Sequence, residues 1–150
     1  MSIRQQLLFR GGLWAAGLAA VVCCCAVGAA ELTWDPDGTS GGSTGGTGTW
    51  NTSSLLWDNA GTMQAWNNAA GDSALFGGTA GTVTLGEPIT AAGLRFDTSG
   101  YDLTANTLTL AGGSPAVETA TGVSATVGSV VAGTAGLTKT GAGSLSLTAA

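Results

Sequence analysis

From residue 77 onward the chain alternates apolar with small polar residues in runs of about three to five, and almost every run ends at a glycine or proline. Val83-Thr-Leu85, Leu94-Arg-Phe96, Leu108-Thr-Leu110 and Leu145-Ser-Leu147 are such runs. Leu103, Val123, Val127, Val130-Val131 and Leu137 continue the pattern. Period two is the signature of a strand with one buried face. The interruptions at Gly86-Glu-Pro88, Ser99-Gly100, Gly112-Gly-Ser-Pro115, Gly133 and Gly141-Ala-Gly143 are turn chemistry. No segment here keeps a helical period.

Many short strands at close spacing fit a sandwich, a barrel or a solenoid. Three features favour the solenoid. The strands are shorter than the ~5–6 residues usual in a sandwich. The turns are rich in glycine, which suits tight corners. Threonine and serine fill the outward positions, where they stack on successive rungs. The expected fold is therefore all-β, a right-handed parallel β-helix or solenoid. Each rung would be covered by its neighbours and unstable alone. At roughly 20–25 residues per rung, the exported part supplies about five.

Residues 31–76 have a different texture and are expected to form a Trp/Gly-rich N-terminal cap, with the rungs in 77–150. This block holds a Gly/Ser/Thr stretch from Thr39 to Thr49 and four tryptophans, each followed by Asp or Asn: Trp34, Trp50, Trp57 and Trp66. The pairs look like a weak repeat, a strand ending in Trp and then a turn opened by an Asx side chain. The rings either cover the apolar end of the first rung or stand exposed as a stacking platform for sugars.

Residues 1–30 precede this block. Arg4 and Arg10 lead into Leu13–Ala30, which carries no charge, and the run ends in Ala26-Val-Gly-Ala-Ala30. That is the organisation of a cleaved export signal, expected as a helix. Cutting after Ala29 puts Val27 and Ala29 at the small-residue positions; cutting after Ala30 puts Gly28 and Ala30 there. Both are acceptable. An uncleaved anchor fits less well, because the run is short for a span of about 20 residues and acidic residues follow it. A lipoprotein signal would need a Leu-small-small triplet before a cysteine, and Ala20-Val-Val precedes Cys23.

Removing the signal removes all three cysteines, and with them any disulfide or Cys-ligated metal. It leaves Arg95 and Lys139 against nine carboxylates, a net charge of −7. That opposes nucleic acid, whose phosphates need basic partners, and anionic lipid. The membrane enters only through the signal or a missing C-terminal part. The chain has no histidine, so the commonest general base and metal ligand is absent.

Gly136-Leu-Thr-Lys-Thr-Gly-Ala-Gly-Ser-Leu-Ser-Leu147 resembles the strand repeat of autotransporter passenger domains, Gly-x-Leu-x-Lys-x-Gly-x-Gly-x-Leu-x-Leu, from Leu137 through Leu147. Gly136 abuts Leu137 directly, where many copies carry an extra residue. Gly93-Leu-Arg-Phe96, Gly100-Tyr-Asp-Leu103 and the Trp-rich opening are similar to upstream parts of such proteins. In this motif Leu137, Leu145 and Leu147 are expected to point into the coil. Gly141 and Gly143 are expected to form a corner that side chains would block, with Lys139 outside. The resemblance implies a bacterial protein, secreted or displayed at the outer membrane, with further rungs and a membrane barrel or sorting tail. The stop at Ala150 without a polar cap is then expected of an N-terminal fragment; a small complete protein that self-associates end to end is the alternative.

Catalytic patterns are weak. Gly41-Gly-Ser43-Thr-Gly45 spells a nucleophile elbow, but it lies in a linker-like tract without a histidine partner. Asp35-Pro-Asp37-Gly38 opens like a calcium loop, but the later ligands fail and a turn reads better. Asp97 and Asp102 flank a turn that could bring two carboxylates together, and Arg95 or Lys139 could serve as a lyase base, at strand positions that equally suit solvated surface residues. The expectation is a non-catalytic surface passenger without cofactor or metal. It would adhere to a surface polysaccharide or to a host or neighbouring cell. The alternatives are a secreted carbohydrate-binding module on the four tryptophans and, behind it, a polysaccharide-active β-helix enzyme.

Overall fold

The structure, a computed structural model, describes residues 29–39 and 41–149. The expected signal helix lies outside the described residues except for Ala29 and Ala30. Fifteen short strands and no helix occur among the described residues.

Strands alternate inward and outward side chains, and glycines turn the chain at most corners; between β9 and β10 the corner is Ala105–Asn106, both at positive φ. The result is three sheets wound by one coil. The first sheet stacks β1 (Glu31–Trp34), β5 (Ser73–Phe76), β8 (Gly93–Phe96), β11 (Ala116–Thr119) and β14 (Thr138–Thr140), all parallel. The second stacks β2 (Gly48–Trp50), β6 (Thr82–Leu85), β9 (Tyr101–Thr104), β12 (Ser124–Val127) and β15 (Ser144–Leu147), also parallel. The third holds β7 (Ile89–Ala91), β10 (Thr107–Leu110) and β13 (Val130–Ala132). The fold is a β-solenoid. Its repeat is read from the register: Ser73 pairs with Gly93, Gly93 with Ala116, and Ala116 with Thr138, offsets of 20, 23 and 22 residues.

The expected number of rungs, about five, divides into two kinds. Three coils carry a strand in every sheet: β5-β6-β7, β8-β9-β10 and β11-β12-β13. The layers at either end, β1-β2 and β14-β15, lack the third strand. Between β1 and β5 the offset is 42 residues, because a loop and an antiparallel hairpin are inserted. The hairpin is β3 (Leu55–Asn59) and β4 (Thr62–Ala65). Its β3 pairs antiparallel with β1, and β4 forms the outer edge of that sheet. Ala60 and Gly61 turn it with positive φ at both positions, the two-residue geometry that matches strand twist.

The inward rows fill the lumen. In the first sheet Leu32, Ala74, Leu94 and Val117 stack in register. In the second, Val83, Leu103 and Val127 do so. In the third, Ile89 and Leu108 are buried and Val131 half-buried behind them. Each fully buried Val, Leu or Ile contributes about 1.5–3 kcal/mol from removal of apolar surface from water. Phe76 and Phe96 stack face to face, 5.0 Å apart, and lengthen the aromatic end of the lumen.

Candidate functional site

The chemically richest part of the molecule is the N-terminal end. Trp34 ends β1 and Trp50 ends β2; Trp57 sits inside β3 and Trp66 follows β4. A turn opened by the following Asx side chain occurs after Trp50 and Trp66; after Trp34 the turn is closed by backbone alone, and Asp58 stays in β3 while its Oδ1 accepts from Gly61 N at the hairpin turn, 2.8 Å. Asn51 Oδ1 accepts from Ser53 N and Ser54 N, and Asn67 Oδ1 accepts from Ala69 N, as Asx turns do.

All four rings are buried, at 0–1 % exposure. Trp57 lies 5.1 Å from Trp34, 4.7 Å from Trp50 and 4.8 Å from Trp66, measured between ring centroids. Trp50 and Trp66 meet edge to face at 4.7 Å. The indoles occupy each other's faces, so the exposed platform that sugar stacking requires is not presented. Trp50 and Trp57 have no acceptor for their Nε1–H and act as apolar bulk.

The same segment satisfies the open edge of the third sheet. Thr90 N donates to Asn68 Oδ1 at 2.8 Å, and Asn68 Nδ2 donates to Pro88 O at 3.1 Å. Trp66 Nε1 donates to Thr90 O at 3.0 Å. Side chains thus take the place of a neighbouring strand on β7. Unpaired edges invite association, and this one is covered.

The Gly/Ser/Thr tract is not a free linker. Thr44 Oγ1 donates to Asp35 Oδ1 at 2.7 Å, Thr79 N donates to Thr44 O at 2.8 Å, and Trp34 Nε1 donates to Gly46 O at 2.9 Å. Tyr101 reaches the tract from β9: its hydroxyl accepts from Gly46 N at 3.3 Å and lies 2.6 and 2.7 Å from Gly77 O and Thr79 O. Burial pushes the Tyr101 phenol above its ordinary pKa of 10, partly opposed by the Gly46 N–H. Tyr101 is the chain's single tyrosine, so its titration can be followed directly. Absorbance at alkaline pH is expected to show a midpoint above 10. The folded phenol holds its proton more tightly, so its contribution is complete below about pH 10 and disappears as pH rises through the folded value. Tyr101→Phe is expected to cost about 1–3 kcal/mol in a denaturation experiment, because buried carbonyls lose their donor.

The Asp35-Pro-Asp37-Gly38 segment is a turn, closed by Gly38 N donating to Asp35 O at 3.1 Å. Asp37 Oδ1 accepts from Thr39 N and Thr39 Oγ1, and these bonds hold its carboxyl below the usual range. No cluster of three or more His, Cys, Asp or Glu occurs among the described residues.

The other sites weighed from sequence are dispersed. Both oxygens of Asp97 are engaged by Arg95, at 3.0 and 3.1 Å, while Asp102 stands in the second sheet beside Thr82 and Thr126. Arg95 also lies 3.8 Å from Glu31, and these carboxylates raise its pKa, Asp97 foremost. A guanidinium held this way is no general base. It borders a shallow groove of about 250 Å³ on the outer face of the first sheet, floored by Gly93 between Ser73 and Ala116.

The repeat motif forms the far end. Leu137 and Leu145 are half-buried against the core. Leu147 stands in register with Val127, an inward row, yet is 52 % exposed because no coil among the described residues lies over it. Gly141 has φ +70°, and a Cβ there would overlap Thr119 O; at Gly143 it would overlap Ala120 O and Val123 O. Lys139 is exposed, although its register is that of an inward row. It pairs with Val117, on the inward row, two residues from Leu137 and so on the same face. It is exposed at the open end, where Nζ donates to Thr140 O and Gly141 O.

Comparison with known proteins places this architecture. No family model matches the chain, and no solved structure matches it significantly. Over 127 residues, 81 % of its length, it is 53 % identical to the adhesin BmaC autotransporter of Brucella suis biovar 1 (strain 1330). The chain spans only 4 % of the length of that relative. With parallel coils, a glycine-cornered strand repeat and this identity over most of its sequence, the chain belongs to the autotransporter passenger-domain family.

Proposed function

We propose that this chain is the capped beginning of a non-catalytic adhesive passenger, exported to the outer membrane or cell surface. The observation that carries the reading is the 53 % identity to an autotransporter adhesin, supported by the solenoid that the same residues form. The mechanism is steric and collective. A ladder of backbone hydrogen bonds holds the coils stiff and presents rows such as Thr82, Asp102, Thr126 and Ser146 outward. The partner is a host or neighbouring cell surface, or its polysaccharide. The buried tryptophans give no support to the carbohydrate-module alternative, and nothing in the dispersed carboxylates favours an enzyme.

Deleting residues 31–149 from the protein in its own host is expected to lower adherence to host cells several-fold, with binding restored by complementation. Unchanged adherence at unchanged surface level would count against the proposal. Asn68→Ala, which uncovers β7, is expected to add concentration-dependent oligomers detectable by light scattering.

A further inference from the structure

Ala30 is fastened into the fold on both sides of its own peptide. Its N–H donates to Asp72 Oδ1 at 2.8 Å, and its carbonyl accepts from Ser73 N at 2.8 Å. It also packs against the core. Asp72 is only 4 % exposed. Among the described residues it has no cationic partner: Arg95 pairs with Asp97 and Glu31, and Lys139 bonds carbonyls of its own segment. Those two are the only basic residues after Arg10. A buried carboxylate normally stands beside a positive charge, because desolvating it alone is costly.

We propose that the leader is cut between Ala29 and Ala30, and that the new α-ammonium of Ala30 is the counter-ion of Asp72. The inference rests on the N-terminal segment being a cleaved signal. The sequence accepts a cut after Ala29 or after Ala30, and the fold separates them. In the hydrolysis, water adds across the Ala29–Ala30 peptide. The C–N bond breaks, hydroxyl joins the Ala29 carbonyl carbon to form the carboxyl group, and hydrogen joins the Ala30 nitrogen. At neutral pH that amine takes a further proton from solvent. Cutting one residue later would discard both bonds of Ala30 and leave Asp72 Oδ1 without its donor. The other charges near this end are Glu31, next in the chain, and Arg95, 3.8 Å from Glu31.

The test begins with mass spectrometry and N-terminal sequencing of the chain after export from bacteria. Ala-Glu-Leu-Thr-Trp at the terminus is the expected result. Glu-Leu-Thr-Trp overturns this proposal while leaving the leader intact as a reading; an uncut Met1 terminus overturns both. The α-amine of the exported protein is then titrated by NMR after isotopic reductive methylation. Its pKa is expected about one unit above the ordinary 7.7–8.0, and back in that range in urea and in Asp72→Asn. The same value folded and unfolded would overturn the ion pair without depending on the variant. Because the folded amine holds its proton more tightly, the stabilisation is complete below about pH 7.7 and is lost as pH rises through the folded pKa.

Discussion

Trp57→Ala is expected to destabilise the solenoid by about 3–5 kcal/mol, the range for removing a large aromatic ring from a packed core. Trp57 is fully buried and touches the large rings around it: Trp34, Trp50, Trp66 and Phe76, the last at 5.8 Å. Its loss leaves a cavity that the hairpin cannot close, because β3 is tied to β1 and β4 on either side. Urea denaturation followed by fluorescence of the remaining tryptophans measures the loss. Leu55, at the start of the same strand, is 57 % exposed; Leu55→Ala serves as the control and is expected to shift stability by no more than about 0.5 kcal/mol. Equal effects at the two positions would mean that the rings are not the closure of the lumen.

Gly45→Ala is expected to cost about 3–4 kcal/mol, from a positive φ and a steric overlap together. Gly45 has φ +64°, and a Cβ there would overlap Gly77 O and the Tyr101 hydroxyl and lie 2.5 Å from Thr79 O. The tract must therefore leave the second coil or push Tyr101 out of its hydrogen bonds. The measurement is the same denaturation, with the Tyr101 titration as a local reporter: its midpoint is expected to fall back toward 10 as the phenol becomes solvated. A loss below about 1 kcal/mol with an unchanged titration would show that the loop moves aside freely.

These two positions differ in how far the sequence announces them. The tryptophans are conspicuous, yet their Asp and Asn neighbours suggest four equal turns. Asn51 and Asn67 open turns with their side chains; Asp35 reaches Thr44 instead, and Asp58 lies within β3 and caps the hairpin turn at Gly61. Gly45 sits in a tract whose composition reads as a linker. Its constraint comes from Tyr101, 56 positions later in the sequence, and a distant side chain leaves no local signal. Asn68 is similar: a second Asn after Trp66 looks like turn chemistry, and only its distance to β7 shows that it completes a sheet edge.

Lys139 gives a sharper lesson. Alternation alone puts it on the face of Leu137, and the structure keeps that parity. A charged residue can occupy an inward row where no coil among the described residues covers it. Leu147 shows the converse, an apolar residue on an inward row that remains half open. Facing is a local property of the strand; burial depends on what is stacked above it.

The sequence by itself determined the strand period, the glycine corners, a coil of roughly 20–25 residues and a chain without histidine. These follow from near neighbours along the backbone and from composition. Only the tertiary structure decided where the indoles point, that three coils are complete, and that Asp35 and Asp72 are buried without a side-chain cation among the described residues. Each of those depends on residues of different strands meeting across the coil or the hairpin, and period-two alternation does not encode which strands those are.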